Sequence, residues 1–239
     1  VLTMAAASAG KKTSMKEVAT LVYTPGAMGT FKTEMLSGAA RLGLFAVPIS
    51  GLDAMITEIA NDRPVVVYRN LGFSWYPLWH YSFVYGYDLD SEEVEMHSGV
   101  DKGKRLDLDK FERSWKRADY WGMVVLRPGE LSSKASEWDS VRAAAYLEAH
   151  GHLEKARLAY DSILNKWPKN AFAAVGQGNL SAGEGNYSLA EKFYRRALEN
   201  DPQLEAAWSN LAFALEKQGK SIEANKARER ATTKAEDQG

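Results

Sequence analysis

From Ser136 to its end the chain repeats itself every 34 residues, and this regularity limits the possible fold more than any other feature. Gly151, Gly185 and Gly219 fall in one column, Ala156, Ala190 and Ala224 in a second, Pro168 and Pro202 in a third. Large residues recur at Tyr160 and Tyr194 and small ones at Ala144, Gly178 and Ala212, while Trp208, Leu211, Ala212 and Leu215 carry the pattern into the last unit. A unit of that length holds two helices: small residues sit where the helices approach closely, and proline ends the second helix. One such pair cannot bury its apolar faces alone, so successive pairs must stack. Three units are expected, over residues 137–170, 171–204 and 205–239.

The period is that of tetratricopeptide repeats. Stacked helix pairs leave a concave face, lined mainly by the first helix of each pair, which such solenoids offer to a protein or peptide ligand. Arg142, Tyr146, Gln177, Asn179 and Asn210 are the candidate partner-binding residues, with Ser181 and Phe213 beside them. His150-Gly-His152 has no third ligand in sequence, so no metal site is expected, and no cofactor.

Before Ser136 the periodicity changes. Helices are expected over Met15–Leu21, Lys32–Leu42 and Leu52–Ala60, with Ser14 and Glu17 at capping-box spacing. A short strand is expected at Leu44–Pro48, and strands follow at Pro64–Asn70, around His80, at Glu93–Gly99 and at Trp121–Pro128, with a helix through Phe111 and Trp115 before the last. Val1–Gly10 reads as the second half of a helix, so residues upstream are expected. The formal net charge is −1, balanced in both halves, which argues against nucleic acid as a partner. No apolar run reaches the roughly 18 residues needed to span a bilayer, so membrane association would come only from a segment upstream of Val1. Cysteine is absent, so this chain has no thiol nucleophile.

The stretch Pro77–Asp88 places His80 at the mouth of an aromatic strand. Such an imidazole is either a hydrogen-bonded core residue or a general base. Trp75 and Trp79 crowd its approach, as cleft walls or as core aromatics, and Asn70 is placed to bond substrate backbone or to cap the turn. Gly29-Thr30, Pro64-Val-Val-Val67, Trp79-His80-Tyr81 with Gly86-Tyr87-Asp88, and Gly103-Lys-Arg-Leu106 with Phe111-Glu-Arg-Ser-Trp115 together resemble the bacteriocin-processing, double-glycine leader peptidase family, and more closely the bacterial cysteine-peptidase-like proteins that join such a domain to tetratricopeptide repeats.

The resemblance implies an α+β papain-like domain, N-terminal helices plus an antiparallel sheet, over residues 1–128, a linker over 129–136 and an all-α tetratricopeptide solenoid over 137–239. It implies a bacterial hydrolase whose nucleophile is a cysteine opening the first helix, upstream of Val1. Export would follow only from a signal in the same place. His80 would be the base, facing the start of that helix, with Asp101 or a backbone carbonyl near Ser98 holding the ring. Without a thiol the chain as given cannot carry out acyl transfer. A non-catalytic adaptor, with the peptidase-type fold as a second binding surface, is the alternative.

Overall fold

The computed structural model describes residues 1–27 and 29–232. These form two compact units, Val1–His152 and Leu153–Gly239.

In the first unit three helices, α1 (Leu2–Ser8), α2 (Met15–Val22) and α3 (Lys32–Arg41), precede the sheet strands β1 (Phe45–Ser50), β2 (Val65–Asn70), β3 (Trp79–Asp88), β4 (Glu93–Ser98), β5 (Asp101–Asp107) and β6 (Trp121–Leu126). Helix α4 (Leu52–Ala60) follows β1 and α5 (Leu108–Lys116) follows β5. Helix α2 begins as the sequence requires: the Ser14 hydroxyl accepts from Glu17 N while the Glu17 carboxylate reaches back to Ser14 N. The sheet is antiparallel in the order β1-β6-β2-β3-β4-β5. Pro48 lies on the edge strand β1, where a missing N–H is tolerated.

Alternation along β2 and β3 assigns their side chains to two faces. Val66 and Phe83 join Leu2, Ala5, Met35, Leu36 and Met123 in the core beneath α1–α3. Arg69, opposite His80 in the strand register, points to the other face, where α5 packs. Strand β5 was not legible in the sequence. Asp101-Lys-Gly-Lys-Arg-Leu-Asp107 is exposed almost throughout, a charged edge strand with no apolar alternation to give it away.

The segment read from sequence as a linker is pinned to this unit. The Glu58 carboxylate, 0% exposed, accepts from Ser132 Oγ at 2.7 Å, Ser133 N at 2.8 Å and Lys134 N at 3.2 Å, and meets Arg63 Nη1 at 3.4 Å. Helix α6 (Glu137–Ala149), the first helix of the repeat pattern, packs on α3 and β1. At its end His150 Nε2 lies 3.0 Å from Ser37 Oγ, and His152 Nε2 lies 3.1 Å from the Arg41 carbonyl oxygen.

The second unit comprises α7 (Leu153–Lys166), α8 (Ala171–Gly183), α9 (Tyr187–Asn200), α10 (Glu205–Lys217) and α11 (Ser221–Thr232). The period survives at atomic level. Gly151, Gly185 and Gly219 take φ of 77°, 78° and 76°, the left-handed conformation that closes a helix. Beside them His152 N, Asn186 N and Lys220 N donate to the carbonyls of Leu147, Ser181 and Leu215. Helix α8 shows why small residues recur. A β-carbon on Gly176 would lie 2.3 Å from the Tyr160 ring, and one on Gly178 would lie 2.3 Å from the Tyr194 ring.

Gly178→Ala therefore lowers stability despite its better helix propensity, by about 1–2 kcal/mol, read as a shifted urea midpoint; an unchanged midpoint contradicts the close ring contact. Glu58→Ala strips three donors of their acceptor and costs about 3 kcal/mol, with new proteolytic sensitivity at residues 131–136. If cleavage there is unaltered, Glu58 is not what holds the segment.

Candidate functional site

Arg69 comes at the end of the run Val65-Val-Val-Tyr-Arg69, and alternation places it on the buried face with Val65 and Val67. It is 2% exposed, and no carboxylate pairs with it among the described residues. Its Nη2 donates to Ser82 Oγ at 2.9 Å and Ser98 Oγ at 3.4 Å, and its Nη1 to Ser114 Oγ at 3.3 Å. The Phe111 ring lies 5.2 Å from the guanidinium carbon, and Nε has no hydrogen-bond partner among the described residues. Burial holds the Arg69 pKa down, to about 10, so the group stays a cation at neutral pH.

That charge is relayed to His80. The hydroxyl of Ser82 donates to Ser98 Oγ at 3.3 Å, and Ser98 Oγ lies 3.1 Å from His80 Nε2. With two donors already aimed at Ser98 Oγ, its own proton is directed at Nε2. This arrangement favours the tautomer with the ring hydrogen on Nδ1. Nδ1 has no hydrogen-bond partner among the described residues and is not sealed from solvent. The imidazole is half-buried. Its pKa lies below the ordinary histidine value, first through desolvation, then through the positive charges of Arg69 and Lys104.

This polarity differs from that of a papain-type base. A base that takes a proton needs the open nitrogen bare and a carboxylate or carbonyl accepting from the other. Here a cation stands behind the ring and the open nitrogen bears the hydrogen.

The other sequence-named residues fall in separate places. Asp101 starts β5 and pairs with Lys104 at 3.6 Å. Of the two roles open to Asn70, the structure gives it turn capping. It is buried, its Oδ1 accepts from Gly72 N and Leu78 N at 2.9 Å each, and its Nδ2 donates to Phe73 O at 3.2 Å. Trp79 stacks on Tyr68 at 5.1 Å on the sheet face opposite His80, and Trp75 stands out in solvent. The Val1 side chain packs against the core beneath α1–α3, and the start of α1 lies near the ring.

Among the partner candidates, Arg142 is exposed and paired with Asp139 at 3.6 Å, and Tyr146 packs against the core of the first unit. Gln177 is 1% exposed; its amide bonds Arg157 O, Asp161 Oδ1 and Arg157 Nη1 inside the repeat unit. Asn179 and Asn210 are half-buried and coupled. Asn179 Oδ1 accepts from Tyr194 Oη at 3.0 Å and from Asn210 Nδ2 at 2.9 Å.

Sequence reasoning missed Arg69 and Ser82. The signal was present: a lone cation in an apolar strand, and a serine two residues from the histidine on the same strand face.

The fold is thus an α+β domain with an antiparallel sheet followed by a helical solenoid of tetratricopeptide period. Solved structures similar to it include the second tetratricopeptide domain of Spaghetti (RPAP3) bound to an HSP90 peptide, 20% identical over 40% of this chain and 88% of that one, TM-score 0.38. MamA is 20% identical over 41% of this chain and 60% of its own length, TM-score 0.38. The peptidase domain of Streptococcus ComA, a bi-functional ABC transporter, is 18% identical over 52% of this chain and 86% of that one, TM-score 0.42. No family model matches the chain, and no curated protein does.

The His80 titration tests the relay. Its folded midpoint falls below the unfolded value of about 6.5, so as pH drops the unfolded chain is protonated first and His80 withdraws stability below that pH. Lys104→Gln raises the midpoint, and added salt mimics this because Lys104 is exposed, whereas the Arg69 contribution persists. An NMR midpoint at or above the unfolded value, or a ring with its proton on Nε2, refutes the polarity.

Proposed function

We propose that this chain is a peptide- and protein-binding adaptor in which the peptidase-type domain recognises extended chain without cleaving it. The observation that carries the reading is the cation-backed His80. A serine hydroxyl backed by a guanidinium sits where a general base needs an acceptor, and the open imidazole N–H is suited to a peptide carbonyl. The repeat helices add a second contact. Asn179 keeps both amide hydrogens, and Asn210 its carbonyl oxygen, without partners among the described residues, so the coupled pair offers a donor and an acceptor to a peptide backbone.

A second reading is favoured by the nearness of the start of α1 to His80. The amino end of α1 lies within electrostatic reach of the ring, as needed by a cysteine peptidase whose nucleophile opens that helix. His80 is then the base and Asp101 the candidate orienting residue.

Panning random dodecapeptides displayed on phage against the chain distinguishes the two. Binders are recovered uncleaved, as judged by mass spectrometry, and Asn210→Ala weakens them about tenfold. His80-dependent cleavage establishes the peptidase instead, and recovery of no binder removes the adaptor.

A further inference from the structure

Outside the His80 site, the most unusual surface is the loop joining β2 to β3. From Asn70 to Tyr87 the chain carries no Asp, Glu, Lys or Arg. Within that stretch Leu71, Phe73, Trp75, Tyr76, Leu78 and Trp79 are all exposed, Trp75 to 82% and Tyr76 to 70%. Leaving so much aromatic surface in water is costly unless something covers it.

The loop is built rather than slack. Leu71 N donates to Leu78 O, and Phe73 and Tyr76 exchange N–H···O bonds. Asn70 Oδ1 takes the N–H groups of Gly72 and Leu78, and Pro77 has none to offer. A β-carbon on Gly72 would lie 2.4 Å from Tyr76 O, so the chain doubles back on itself as tightly as glycine permits. Phe73 stacks on Trp75 at 5.5 Å.

These facts select the occupant. A protein strand adding to this loop needs free backbone donors, and most are spent internally. A lipid interface imposes the opposite requirement, that backbone polar groups be satisfied within the segment, and favours Trp and Tyr, which are apolar at one end and polar at the other. Cations stand at the root. The exposed Arg117 donates through Nη2 to Asn70 O at 2.9 Å, and Lys32 Nζ lies 5.4 Å from the centre of the Tyr68 ring on which Trp79 stacks. Such groups meet anionic headgroups when the tip is inserted.

We propose that loop 71–79 is a peripheral membrane anchor that inserts its aromatic side chains into the interface of an anionic phospholipid bilayer. This is independent of whether His80 binds or cleaves peptides.

The test is co-sedimentation of the whole chain with vesicles of phosphatidylcholine containing phosphatidylglycerol, repeated with brominated lipid to quench tryptophan emission. The chain sediments and its emission is quenched. Trp75→Ser with Tyr76→Ser, which leaves the core untouched and the circular dichroism unchanged, reduces partitioning at least about tenfold. Arg117→Gln weakens it further on anionic than on pure phosphatidylcholine vesicles. Absence of vesicle binding, or equal binding by the double variant, overturns the proposal. Concentration-dependent self-association that the double variant abolishes, without vesicle binding, also overturns it and assigns the loop to a second copy of the chain.

Discussion

A buried guanidinium without a carboxylate partner among the described residues governs the first unit. Arg69 is held by three serine hydroxyls and one phenyl ring, and each hydroxyl that accepts from it must turn its own proton elsewhere. For Ser98 that direction is His80 Nε2, so the charge reaches the imidazole through two oxygens. The antiparallel sheet sets His80 against this network, and the network decides which ring nitrogen is left open. Fold and chemistry are separable here because backbone geometry is set by apolar alternation, whereas proton direction is set by a single buried charge.

Helix α6 belongs to two patterns at once. By sequence it opens the 34-residue series, and in space it rests on α3 and β1. Ala143, Ala144 and Leu147 are buried, and Tyr146 lies against the core of the first unit. The Glu58 clamp just before it fixes its entry, with buried carboxylate and hydroxyl partners in the segment read from sequence as a linker.

Legibility followed apolar patterning. The helices α2–α5, the strands β1–β4 and β6 and the paired helices to the end could be read from alternation, caps and the repeat period, because these express burial directly. Strand β5 could not, since its seven residues are charged or exposed and owe their conformation to β4 alone. The same limit applied to the site. His80 stood out as an imidazole in an aromatic strand, while Arg69 and Ser82, which decide what that imidazole can do, looked like ordinary strand residues. Gln177 failed the other way: a polar residue on a repeat helix reads as surface, yet its amide is satisfied by Arg157 and Asp161 within the stack.

What the sequence determined by itself was the architecture, an α+β region followed by helix pairs, because a 34-residue recurrence of glycine, alanine and tyrosine and the alternation of valine and aromatics each admit one way of burying apolar surface. What only the tertiary structure decided was the chemistry of the site and the outward cast of loop 71–79. Both depend on which polar groups from distant strands come within about 3 Å of each other, and hydrogen-bond polarity leaves no periodic trace along a chain.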